Sequence, residues 1–171
     1  MPERRPELSL HDWAVLGVLA GGESHGFAVA KELAPHGEVG RVWTVSRPQV
    51  YRSLDRLVDL GLVEPVERQP GDAGPDRTVL AATARGHDRL RRWLGRPVAH
   101  LRDVRSELLV KLLLAERLGV DARPLVEAQR AAFAPRLDAL AAANVHTDGV
   151  VDAWRHESAD AVRRFLDRLD R

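Results

Sequence analysis

Apolar residues recur at helical spacing along most of the chain, with one extended, alternating interruption in the first half. Leu10, Trp13, Val15, Leu16, Val18 and Leu19 circle most of a helix. The spacing predicts that this helix runs from a Ser9 cap to Ala20, ends at Gly21-Gly22 and is buried on more than one side. A second helix is predicted from Ser24, as cap, to about Leu33, with Phe27, Val29, Ala30 and Leu33 inward and Pro35 and Gly37 ending it. A loop through Gly40 and Trp43 leads to a third helix, Ser46 to Leu60. Val50, Leu54, Leu57 and Val58 form its buried stripe, while Arg47, Gln49, Arg52 and Arg56 lie elsewhere on it. Ser46 is its natural N-cap, Pro48 suits the first turn, where no N–H is needed, and Gly61 stops it.

Leu62 to Arg68 alternates apolar and polar residues, Gln69 to Asp76 is a Gly/Pro loop, and Thr78-Val79-Leu80 is extended again. Two short strands around such a loop make a β-hairpin. Three helices followed by a hairpin is the order of a winged helix-turn-helix. Thr83 caps a fourth helix through Leu94, with Leu90, Trp93 and Leu94 inward. Gly95-Arg96-Pro97 is the clearest break and sets the expected boundary between residues 1–95 and 96–171.

The second half reads as all helix. One helix is expected from Leu101 or Val104 to Leu118, closed by Gly119. Asp121 caps the next, which carries Leu125, Val126, Phe133, Leu137 and Leu140, with a kink at Pro135. After a turn at Asn144 to Gly149, Val151, Trp154, Ser158, Ala161, Phe165 and Leu169 make a seam at coiled-coil spacing. The fold class is therefore mainly α: an α+β winged helix followed by an all-helical C-terminal domain.

Charge and composition narrow the function. The 171 residues carry a formal net charge of +1, so nucleic-acid contact has to be local rather than a general basic coat. Cysteine is absent, which excludes disulfides, thiolate metal sites and cysteine nucleophiles and fits a reducing cytoplasm. The N-terminus lacks the apolar core of a secretory signal, and the apolar runs Trp13 to Ala20 and Leu108 to Ala115 are too short or interrupted to span a bilayer. His11, His25, His36, His87, His100, His146 and His156 show no metal-ligand spacing, and the glycines form no phosphate loop, so no metal, no cofactor and no enzymatic activity are expected. A packing or backbone role is expected for His25.

The outer face of the third helix is the candidate site. Arg and Gln read base edges in the major groove, and Arg and Tyr hold phosphates. Ser46, Arg47, Gln49, Tyr51, Arg52 and Arg56, with Arg77 from the wing, are the candidate DNA-binding residues. Dimerisation is expected through helix one and the C-terminal helices, with Leu10, Trp13, Leu108, Leu112, Phe133, Trp154, Ala161 and Phe165 as candidates. Trp43, Trp93 and Trp154 are candidates for lining an effector pocket, against the plainer reading that they are core.

Three signatures in register resemble the PadR family of bacterial transcriptional regulators: Leu16-Gly17-Val18-Leu19 with Ser24-His25-Gly26-Phe27; Ser46 to Leu57 containing Tyr51; and Gly74-Pro75-Asp76-Arg77 with Thr83-Ala84-Arg85-Gly86. The C-terminal half matches only in length and helical character, as in the subgroup with the longer C-terminal domain. Phe27 and Leu80 stand where the family usually has tyrosine, and Asp76 stands where the wing usually has a basic residue. The resemblance implies a cytoplasmic homodimer on a palindromic operator of double-stranded DNA. It implies a repressor, often released by a small effector that it does not name; the tryptophans, as aromatic walls, suit an aromatic one. A winged helix that binds a protein partner instead of DNA remains the alternative, favoured by the near-neutral charge and Asp76.

Overall fold

The computed structural model describes residues 7–70, 77–142 and 149–169. The chain divides into two compact units, residues 1–93 and 94–171. The first is a winged helix. Its elements run α1 (Leu10–Ala20), β1 (Ser24–His25), α2 (Gly26–Glu32), α3 (Arg47–Asp59), β2 (Val63–Gln69), β3 (Arg77–Ala82) and α4 (Ala84–Leu94). The strands form an antiparallel sheet in the order β1-β3-β2. Val63 pairs with Ala82 and Gln69 with Arg77, and the register shifts between Pro65 and Glu67. Pro65 has no N–H to give a ladder, so its place on the edge strand, beside an irregularity, fits its chemistry.

The sheet has a strand that the sequence pattern did not predict. Ser24 and His25 pair with Leu80 and Val79. Two residues are too few to show a period of two, so alternation carries no signal there. This strand displaces the expected cap of α2. His25, not Ser24, is the N-cap, and its Nδ1 accepts the Ala28 N–H at 3.2 Å. Phe27 is not inward either; it is 54 % exposed. At about 100° per residue it falls more than 90° from the centre of the Val29, Ala30 and Leu33 stripe. Val58 of α3 is also exposed: it lies about 75° to one side of the stripe of Val50, Leu54 and Leu57, while Ser53, about 65° to the other side, takes the buried position.

The other punctuation residues act locally as expected. Gly61 adopts a φ of 64°, the left-handed conformation that ends α3 without a side-chain clash. It lets the Leu62 N–H bond to the Leu57 carbonyl at 2.9 Å. Thr83 Oγ1 accepts the Gly86 N–H at 3.0 Å, capping α4, and donates to the Gly61 carbonyl at 2.9 Å. One residue thus joins the start of α4 to the end of α3.

The second unit is helical among the described residues: α5 (Leu109–Arg117), α6 (Arg123–Ala142) and α7 (Val150–Arg168), preceded by a 3-10 turn at Leu101–Asp103 and a π turn at Val104–Leu108. The single uniform helix expected over this stretch is therefore absent. Apolar spacing of three and four residues does not distinguish one regular helix from tight and wide turns in succession. Asp121 sits two residues before α6, and its Oδ1 accepts the Arg123 N–H at 3.0 Å. Helix α6 continues through Pro135 to Ala142. The core of this unit is Val98, Val104, Leu108, Leu125, Phe133, Leu137, Ala159, Val162 and Leu166.

Two buried polar residues fix the start of the unit. Gln129 is fully buried; its Oε1 accepts the Val98 N–H at 2.7 Å and its Nε2 donates to the Val98 carbonyl at 3.0 Å. Both partners lie on one residue's backbone, so the side chain acts like a neighbouring strand. Lys111, 1 % exposed, donates to the Arg96 carbonyl at 2.7 Å and pairs with Glu107 at 2.7 Å. Among the described residues, no helix is long and apolar enough to cross a membrane.

Candidate nucleic-acid interface

Helix α3 is short, sharply bounded and two-faced. Its N-cap Ser46 has extended backbone, φ −65° and ψ 148°. Gln49 Oε1 accepts both the Ser46 N–H at 3.3 Å and the Ser46 hydroxyl at 2.8 Å. The first turn is thereby closed on itself, and the Gln49 amide NH2 is left without a partner among the described residues. Val50, Ser53, Leu54 and Leu57 are buried. Arg47, Tyr51, Arg52 and Arg56 are exposed.

The exposed residues divide into two groups. Arg47, Tyr51 and Arg77 border one cleft of about 680 Å³ between α3, the start of α2 and the base of the wing, together with Phe27, Asp55 and Leu80. The Arg47 guanidinium carbon lies 5.5 Å from the Phe27 ring centre and 5.9 Å from that of Tyr51. Gly26 makes room for this arrangement: a Cβ there would lie 2.8 Å from Tyr51 Cε1. Arg52 lies apart from the cleft, its Nε reaching the Pro48 carbonyl at 3.4 Å.

Arg56 is turned to structure within the unit. Its Nη2 donates to the Glu7 carbonyl at 2.9 Å, and its Nη1 lies 3.5 Å from Asp12 Oδ2. Asp12 is 3 % exposed and accepts from three other groups: Ser9 N–H at 2.9 Å, Ser9 Oγ at 2.9 Å and Ser53 Oγ at 2.7 Å. This carboxylate locks α1 to α3. Sequence reasoning missed it, although Ser9 and Asp12 have the three-residue spacing of a capping box. The expected wing residue Asp76 lies outside the described residues.

Trp13, Trp43 and Trp93 belong to the first unit and Trp154 to the second. Trp13 and Trp93 stack at 4.8 Å with 8° between their planes, and Trp93 is buried. Trp43 is half-buried, 5.7 Å from the His11 ring, and its Nε1 is buried without a hydrogen-bond partner among the described residues. Trp154 is 72 % exposed on α7. Of the expected dimer residues, Leu108 and Phe133 are buried in the core of their own unit, Leu112 and Phe165 pack against it, Leu10 and Trp13 are half-buried, and Ala161 is exposed. No group of His, Cys, Asp and Glu among the described residues is placed to hold a metal.

A capped helix with exposed arginines beside a β-hairpin is the form in which a chain enters a major groove. Residues 15–92 match the model of the transcriptional regulator PadR-like family. They are a PadR-like domain. Among solved structures, the chain is similar in fold to Bacillus subtilis PadR in complex with operator DNA, at 19 % identity over 94 % of this chain and 97 % of that one, with a TM-score of 0.51. Bacillus subtilis PadR in complex with p-coumaric acid matches at 19 % identity over 94 % and 93 % of the two chains, with a TM-score of 0.44. The Streptococcus mutans UA159 protein smu.1604c matches at 15 % identity over 92 % and 96 %, with a TM-score of 0.45. No curated protein matches the sequence.

Proposed function

We propose that this PadR-like regulator binds double-stranded DNA sequence-specifically through the outer face of α3, as a homodimeric repressor on a palindromic operator. The observation that carries the reading is the exposed edge of α3: Arg47, Tyr51 and Arg52 stand out from a helix whose other face is buried and whose first turn is closed by Ser46 and Gln49. Arg47 and the Gln49 amide sit at the N-terminal end, where recognition helices touch bases. Arg52 suits phosphate, and Arg77 brings a second cation from the wing.

Pairing is supported by α7. Its inward face is Ala159, Val162 and Leu166, yet Val150, Val151 and Trp154 are 85 %, 56 % and 72 % exposed. An exposed tryptophan within one turn of two exposed valines suits a surface for a partner, and a two-fold partner sets two recognition helices roughly 34 Å apart, or a multiple of it. Release by an aromatic small molecule is the regulatory part of the proposal, with Trp43 and Trp93 as candidate contacts within the first unit and Trp154 within the second. A ligand that favours one dimer geometry by about 1–3 kcal/mol lowers operator affinity roughly 5–150-fold.

The test is a gel shift with the DNA upstream of the protein's own gene, over a range of salt. Saturable binding that weakens steeply with salt, and that outcompetes unrelated duplex, is expected. Binding to a protein partner with no affinity for any duplex would reject the DNA assignment. Tryptophan emission followed during titration with aromatic acids, alongside operator release, tests the effector.

A further inference from the structure

Arg56 ties down the chain that enters α1. Its Nη2 donates to the Glu7 carbonyl at 2.9 Å, while its Nη1 lies 3.5 Å from Asp12 Oδ2. Glu7 is thereby laid against one flank of α3. At about 100° per residue, Gln49, Arg52 and Arg56 fall within roughly 60° of one another on that flank. Arg47 and Tyr51, which border the cleft at the base of the wing, lie about 150° away round the exposed side of the helix. The residues before Glu7 are Glu3-Arg4-Arg5-Pro6, and they lie outside the described residues. A chain spans at most about 3.6 Å per residue, so the Cα atoms of Arg5 and Arg4 are no more than roughly 7 and 11 Å from that of Glu7.

The charges on α3 and the hairpin leave a role for this pair. On α3, Arg47, Arg52 and Arg56 are opposed by Asp55 and Asp59, and Arg56 is already paired with Asp12. The hairpin carries Arg68 and Arg77 against Glu64, Glu67, Asp72 and Asp76. Counting the Asp12 pair, neither element has the net positive charge on which attraction to phosphate depends. We propose that Arg4 and Arg5 form an arm that grips the DNA phosphate backbone on the side of α3 away from the wing. Arg56 is its positioning residue, acting through the Glu7 carbonyl. Glu3 and Glu7 flank the pair, which confines the grip to the two arginines. The inference rests on α3 being the DNA-reading helix, and it adds a contact from outside the winged helix.

The experiment measures affinity for the DNA upstream of the protein's own gene between about 50 and 200 mM salt. Arg4→Ala/Arg5→Ala is expected to lower the slope of log affinity against log salt by about two, so that its affinity falls roughly tenfold less than the wild type's over that range. Removing two exposed arginines of the second unit, in Arg102→Ala/Arg123→Ala, leaves the slope unaltered. Arg56→Ala is expected to lose most of the same slope, and Arg56→Lys, which keeps a donor for the Glu7 carbonyl, to retain it. In the Arg4→Ala/Arg5→Ala background, Arg56→Ala adds nothing. Additive slopes would mean that Arg56 touches phosphate itself and overturn its positioning role. An unaltered slope in Arg4→Ala/Arg5→Ala overturns the arm, as does a slope lost equally in Arg102→Ala/Arg123→Ala. A poorly folding Arg56→Ala leaves the Arg4 and Arg5 comparison intact. A wild type without salt-dependent binding to any duplex removes the DNA-reading assignment and the arm with it, whereas failure of the arm alone leaves that assignment standing.

Discussion

Arg56 of α3 is tethered to Asp12 of α1, 3.5 Å from a carboxylate that is almost wholly buried. The same carboxylate caps α1 through Ser9 and receives the hydroxyl of Ser53 from the buried face of α3. One charge thus orients α3 on α1. Asp12→Ala removes the carboxylate half of the capping box, leaving the Ser9 cap on the residue 12 N–H, and strands the buried Ser53 hydroxyl, so it is expected to cost about 2–4 kcal/mol. Arg56→Ala leaves those bonds in place and removes a half-exposed partner, so about 1 kcal/mol or less is expected. Urea unfolding of the two variants checks the order. Equal losses would mean that the ion pair, rather than the Ser9 and Ser53 bonds, is the main role of Asp12.

How much of this was legible in the sequence depended on range. Ser46 with Gln49, Thr83 with Gly86, and Gly61 at the end of α3 are contacts within one turn, and the sequence places their partners beside them. The stripe Val50, Leu54, Leu57 was legible because one face of α3 is dry. Ser53 and Asp12 are 41 positions apart, and Gln129 and Val98 are 31 apart. A polar residue in an apolar stripe signals that a partner exists but not where it is. Phe27 and Val58 were misplaced because both are apolar and within a turn of the buried stripe, so composition outweighed angle. The DNA-contacting role of Arg56 drew on its residue type, which does not say that its guanidinium is already bonded to the Glu7 carbonyl.

Lys111 gives the second unit an alkaline signature. Burial, the largest effect, pulls its pKa below the ordinary 10.5, against the Glu107 hydrogen bond and charge, which raise it. Between the folded and unfolded values the unfolded chain holds this proton more tightly. Stability from this group therefore increases with pH through that window and is lost as pH falls through the folded value. Lys111→Met is expected to flatten that rise. Unfolding curves of wild type and variant at alkaline pH check the slope, and parallel curves would exclude Lys111 as its source.

Asp121 responds at the other end of the pH scale. The side-chain and backbone hydrogen bonds from Arg123 hold its carboxyl below the ordinary 3.8. Its contribution is present above the unfolded value and is lost as pH falls through the folded one. Asp121→Asn is expected to make α6 less sensitive to acid. Helical ellipticity between neutral and strongly acidic pH reads this directly, and an unaltered acid transition would place the sensitivity elsewhere.

Trp154 and Phe133 separate assembly from folding. Phe133 is 1 % exposed in the core of its own unit, and Phe133→Ala is expected to cost about 3–5 kcal/mol. Trp154 is 72 % exposed, so Trp154→Ala should leave the melting of the single chain nearly unaltered while shifting a dimer towards monomer. Light scattering over a micromolar range distinguishes them. A wild type that is already monomeric there would remove the dimer from the proposal.

Arg52 and Arg47 are expected to fail differently in DNA binding. Arg52 is on the exposed side of α3, tied only weakly to the Pro48 carbonyl at 3.4 Å, and it is free to swing to a phosphate. Arg52→Ala should weaken binding to every duplex and lower the slope of log affinity against log salt by about one. Arg47 is held between two rings at the head of the helix, and Arg47→Ala should cost about 1–3 kcal/mol on the preferred site and relax its sequence preference. The salt slope separates the two roles, because an ion contact is paid back in released counterions whereas a base contact depends on which base is present. Equal slopes for wild type and Arg52→Ala, with equal affinity, would mean that phosphate contact comes from residues other than Arg52.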